Sequence, residues 1–205
     1  MIMHKIKLNI IIVMLSLLTL SFPARAELTI DITLWLDNAT RIAVVPFEWR
    51  GSSVTPLRMA DVISADLKRS GQFAPMKEAD MIETPHSSTE VNYASWRNSK
   101  IKYVVIGKIT PIAGGAFQVQ FQLLDVEKGS QMTGHSFQAT KKQLRRLSHH
   151  ISDLIFEAVT GERGAFDTYL AYITVTKDRK GQNRYRLAIS DSDGYNEQIL
   201  FESSM

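Results

Sequence analysis

The sequence predicts an α/β sandwich, an α+β arrangement of helices laid on a mixed sheet, followed by a β-rich tail. Three observations carry this. Ile42–Phe47, "IAVVPF", is a continuous apolar run, as a strand covered on both faces requires. Residues 117–126, "FQVQFQLLDV", alternate with period two, placing Phe117, Val119, Phe121 and Leu123 inward and the glutamines toward water. Leu144, Leu147, Ile151, Leu154, Ile155 and Ala158 keep a helical spacing. The order is strand, helix, short strand, helix, three-stranded meander and helix, which calls for helices packed on one sheet.

The chain begins with a leader. His4, Lys5 and Lys7 make a basic start, Leu8–Leu20 carries no charge and is mainly apolar, and Ala24-Arg25-Ala26 has the small-x-small pattern that signal peptidase cuts. Residues 1–26 are therefore expected to be a signal peptide; an uncleaved signal anchor is the alternative. Of 24 basic residues, Lys5, Lys7 and Arg25 lie in the leader, leaving 21 against 21 acidic ones. That balance gives no clustered basic excess for nucleic acid or an anionic membrane. With no cysteine, an exported domain must rest on an ordinary packed core.

Glu27–Leu36, "ELTIDITLWL", alternates strictly, with Leu28, Ile30, Ile32, Leu34 and Leu36 on one side and Thr29, Asp31, Thr33 and Trp35 on the other. It suits an edge strand, or an extended arm that adds to another protein's sheet. After Ile42–Phe47, Thr55-Pro56 is expected to start a helix, with Met59, Val62, Ile63 and Leu67 as its apolar stripe and Gly71 at its end. Asp80–Val91 is polar, carries Pro85 and suits a surface loop. A short helix over Tyr93–Asn98 would bury Trp96.

Three strands follow, within Ile101–Ile109, within Phe117–Val126, and through Phe137. Gly114-Gly115 and Glu127-Lys128-Gly129 turn the chain between them, so the strands must be antiparallel. Lys141–Thr160 is the clearest helix, and Gly161 caps it. Gly161–Gly164 has the look of a linker. Beyond Phe166 the chain reads as β: Arg184–Ser190 alternates, Asp191–Asn196 turns, and Gln198–Phe201 opens another strand.

Few residues suggest chemistry. His149 and His150 are neighbours, so they cannot chelate one ion as an i, i+4 pair would, and they fit a helix surface. His86 and His135 fall in a loop and a strand with no Asp or Ser at a diagnostic spacing. Asp191-x-Asp193-Gly194 starts like a calcium loop, but Tyr195 and Asn196 stand where an oxygen ligand and glycine are needed, so a β-turn is the better reading. Lys141, Lys142, Arg145 and Arg146 fit the solvated end of a helix. The chain has no G-x-S-x-G, P-loop or G-x-G-x-x-G.

At "IAVVPFEWRG", "ISADLKRSGQF", "VVIGKITP", "EAVTGERGAFDTYLAYITV" and "ISDSDGYNEQIL" the chain resembles the TolB family, the periplasmic component of the Tol-Pal envelope system. These stretches run in the family's order. The resemblance implies residues 39–163 as the family's N-terminal α/β domain and 164–205 as an incomplete first blade of a β-propeller, in a truncated copy. It implies a binding protein that is not an enzyme, has no cofactor, metal or small-molecule substrate, and is expected to be a periplasmic monomer. By the same resemblance the arm Glu27, Leu28, Thr29, Ile30, Asp31, Ile32, Thr33, Leu34, Trp35 and Leu36 binds the periplasmic end of TolA. The propeller of full-length members binds Pal; that surface has no counterpart here. Where the family often has glycine after the arm, this chain has Trp35-Leu36-Asp37-Asn38-Ala39, a stiffer hinge. Two other readings are a non-functional remnant with exposed apolar strands such as Tyr169–Val175, and a small periplasmic hydrolase using His135 or His149.

Overall fold

The computed structural model describes residues 39–204. The leader, the arm Glu27–Leu36 and the hinge before Ala39 lie outside the described residues. The first strand, β1, is Thr40–Val44, with Ile42, Ala43 and Val44 buried. Pro46 lacks an N–H for the ladder, and the strand stops before it. Pairing resumes at β2, Glu48–Trp49.

Helix α1 is Met59–Arg69, starting three residues after Pro56, where a Thr55 cap would have begun it. The Thr55 hydroxyl donates to Leu57 O (3.1 Å), so it serves a local turn and not a helix cap. Strand β3 is Phe73–Pro75. Helix α2, Tyr93–Asn98, lies where expected: Asn92 Oδ1 accepts from Ser95 N (3.2 Å), and Trp96 is fully buried. Strands β4 (Tyr103–Pro111), β5 (Ala116–Asp125) and β6 (Ser130–Thr140) form the meander. Gly114 and Gly115 adopt the positive φ that their turn requires (78° and 74°). A 3₁₀ turn over Lys141–Gln143 leads into α3, Leu144–Thr160, which ends at left-handed Gly161.

The six strands make one mixed sheet, ordered β3-β1-β4-β5-β6, with β2 alongside β4. β1 runs parallel to both neighbours, while β4, β5 and β6 are antiparallel, in register at Val105↔Leu123 and Val119↔Phe137. The chain leaves β1 toward β3 and then returns past β1 to β4. Right-handed crossovers in opposite directions put their connections on opposite faces. Ile42, Val44, Val105 and Val119 accordingly pack with α1 and α3, while Ala43, Val45, Val104 and Ile106 pack around Trp96. Gly107 lets a neighbour close in on the sheet: a Cβ there would sit 2.5 Å from the Phe47 ring.

The tail is a separate antiparallel meander of β7 (Tyr169–Lys177), β8 (Asn183–Asp191) and β9 (Gln198–Ser204). Three strands in this order have the form of part of a propeller blade. Ile173, Leu187 and Phe201 lie opposite one another across it and are 66, 37 and 62% exposed.

Candidate functional site

The best-formed polar constellation among the described residues lies where α1, α3 and the turn between β8 and β9 meet. Met59, Val62, Ile63, Asp66 and Leu67 share the buried stripe of α1, so an acid stands among apolar residues. A buried carboxylate requires partners. His149 and Ser152, both buried on α3, face it: His149 Nδ1 lies 2.7 Å from Asp66 Oδ2, and the Ser152 hydroxyl donates to the same oxygen at 2.9 Å. Arg69 Nη2 donates to Oδ1 at 2.8 Å. A carboxylate only accepts, so Nδ1 carries a hydrogen. His149 is therefore a core residue clamped between two helices, which corrects its expected place on the helix surface. His150 is half-buried, edge-on to Phe137 (5.6 Å).

The other ring nitrogen points to the turn. His149 Nε2 is buried without a hydrogen-bond partner and lies 3.8 Å from Asp193 Oδ2. Asp193 pairs with Arg145, whose guanidinium sits 3.9 Å above the Tyr195 ring. Arg145 is thus a bridge to the meander; Arg146 pairs with Asp167 at 2.8 Å but stays exposed, so it keeps, with Lys141 and Lys142, the solvated role expected of all four. Asp191–Asn196 is a turn as expected, closed by Gly194 N–H to Asp191 O at 2.9 Å. Burial alone would raise the Asp193 carboxyl, but the Tyr195 N–H and Arg145 outweigh it and hold the group below its ordinary range. For His149 burial is the largest single influence and lowers the pKa, yet Asp66 and Asp193 together raise it above its ordinary 6.5, against a smaller opposing push from Arg145.

Gly161–Gly164, expected to be a linker, is fastened at its far end. Asp153 accepts from Phe166 N (2.7 Å) and Asp167 N (3.1 Å), and Gly164 lies so close to Asp153 that a Cβ would come within 2.3 Å of its carboxylate. Phe166 meets Phe156 edge-on at 5.7 Å, and its carbonyl accepts from the Ser192 hydroxyl at 2.6 Å. His135 is stacked with Phe121 and Phe137 (5.8 and 5.9 Å), and its Nε2 meets the Thr133 hydroxyl at 3.2 Å. His86, in its loop, lines one groove together with His135. The structure does not bring His135 and His149 into one site: His149 lies in the helical layer.

Sequence reasoning missed Asp66 and the burial of His149. The available signal was Asp66 itself, at the i+3 and i+4 positions from Ile63 and Val62 on a stripe otherwise apolar. The ten arm residues, Glu27–Leu36, lie outside the described residues, so no geometry bears on them.

Fold and junction together define a class: an α/β sandwich domain with a blade-like β-meander fastened to its last helix. Within that class, residues 28–132 match the family model described as the TolB amino-terminal domain. The chain belongs to the TolB family. It is 43% identical over 181 residues to "Tol-Pal system protein TolB" of Thioalkalivibrio sulfidiphilus, covering 88% of this chain and 41% of the relative. With the protein of the same name from Xanthomonas oryzae pv. oryzae (strain PXO99A) it shares 42% identity over 190 residues, covering 92% and 43%. The crystal structure of TolB from Acinetobacter baumannii superposes with a TM-score of 0.69 at 29% identity, over 80% of this chain and 39% of that one. The chain spans about two fifths of the length of these relatives.

Proposed function

We propose that this chain is a non-enzymatic periplasmic component of the Tol-Pal envelope system that binds the periplasmic domain of TolA through Glu27–Leu36. The observation that carries the reading is the extent of the family match. It runs over residues 28–132 and so takes in the alternating arm together with the sandwich as far as the start of β6. An extended segment with every second residue apolar can complete a partner's sheet with its backbone while Leu28, Ile30, Ile32 and Leu34 fill pockets on one side. The sandwich then serves as the body to which the arm is tethered. Binding to Pal belongs, on this reading, to the propeller of longer family members, and the whole system supports outer-membrane integrity during constriction at division.

The test is titration of the chain, with its leader removed, against the TolA periplasmic domain by calorimetry. Binding that disappears when residues 27–36 are deleted supports the assignment. Equal affinity with and without the arm rejects it.

A further inference from the structure

The gap between His149 Nε2 and the β8–β9 turn calls for a positive occupant. An imidazole with its Nδ1 hydrogen given to Asp66 presents a bare lone pair on Nε2, and that lone pair faces the carboxylate of Asp193 at 3.8 Å. Two acceptors face each other in a place from which water is largely excluded, since the His149 side chain is 2% exposed. Asp191 adds a second carboxylate, and one ligand atom from each of the three residues falls within 4.8 Å of the others. A metal ion or a proton would each resolve the conflict.

Charge decides between them. The groups facing His149 are Asp66 and Arg69 from α1, Arg145 from α3, and Asp191 and Asp193 from the turn. Three carboxylates face two guanidiniums, so one further positive charge balances the cluster. A divalent ion would leave it with an excess, and it would also have to displace the Arg145 guanidinium from Asp193. An uncompensated buried charge is expensive, so the proton is favoured.

We propose that His149 is a proton-operated latch that fastens the β8–β9 turn, and with it the meander, to the helical layer. Charged, it holds Asp66 through Nδ1–H and Asp193 through Nε2–H, and the second contact closes by about an ångström to hydrogen-bond length. Neutral, it keeps Asp66 and releases Asp193, leaving the turn tied by Arg145 on Asp193 and by Ser192, which donates to Phe166 O and accepts from Arg69. The raised pKa of His149 fixes the sign. Closure is strongest below the ordinary value of 6.5 and fades as pH climbs through the raised one. Asp193 sets the acid limit, because its lowered pKa keeps it charged until the pH falls below the ordinary carboxylate range. The turn is thus held most tightly between these two limits.

Amide exchange of the segment 191–197 in the full chain reads the latch directly. Corrected for intrinsic rates, protection is expected to fall several-fold as pH rises from about 5.5 to 8.5, across the histidine range, while segment 151–158 of α3 stays unchanged. Asp193→Asn leaves the helical pair intact and should flatten the profile. His149→Gln should do the same if it folds, as thermal unfolding would show. A wild-type profile that is flat, or one that persists in Asp193→Asn, overturns the proposal. So does protection at the alkaline end that is restored by equimolar zinc and lost with a chelator, which would make the gap a metal site.

Discussion

Gly164 and Asp66 show how single residues set the geometry of the junction. A methyl at Gly164 would come 2.3 Å from the Asp153 carboxylate and 2.7 Å from its Cα, and the second contact cannot be relieved by rotating a side chain. Gly164→Ala should therefore cost about 1–3 kcal/mol, as overpacked sites do, read as a lower urea midpoint. Asp153 would be pushed off the Phe166 and Asp167 amides at the same time. Asp66 marks the limit of what patterning reveals. Its place on the α1 stripe is visible in the sequence, but its partner lies 83 positions away on another helix. Periodicity describes one element and is silent about which element will face it. The same blindness assigned Arg145 to solvent: helix spacing puts it near an exposed end, and only the docked turn brings Asp193 and Tyr195 to it.

At the level of elements, starts are decided by hydrogen bonds that patterning only suggests. The entry to α3 is the best built. Thr140 and Gln143 form a reciprocal capping box, with Thr140 N–H donating to Gln143 Oε1 at 2.9 Å. Thr140→Ala should destabilise the chain by about 1 kcal/mol, seen as a lower unfolding midpoint, with helix α1 unaffected in amide exchange. Thr55 offered a similar signal and used its hydroxyl elsewhere, so α1 begins at Met59. The long elements were legible because their interiors repeat: the inward set Val119, Phe121 and Leu123 is buried as the alternation required. Glycine turns were equally plain. What could not be read was a hydroxyl's choice between a helix amide and a nearby carbonyl, since both are within reach of the same side chain.

For the whole molecule, the meander presents a surface unlike the rest. Ile173, Leu187 and Phe201 form a continuous apolar row in water, with Val175 beside it at 55% exposure. Contiguous apolar patches of this kind promote association. The chain should self-associate with rising concentration, and Ile173→Glu should reduce this in light scattering while leaving thermal unfolding nearly unchanged. Along the same strand, Tyr169 and Leu170 are exposed as well. The arrangement of the larger sheet has a different kind of consequence. β1 lies between β3 and β4, pairing Ile42 with Pro75 on one side and with Tyr103 on the other. A chain that emerges from its amino end delivers this central strand early, yet its second neighbour arrives about sixty residues later. Until then β1 waits with one edge open, so the apolar run Ile42–Phe47 stays unpaired on that side while the chain grows.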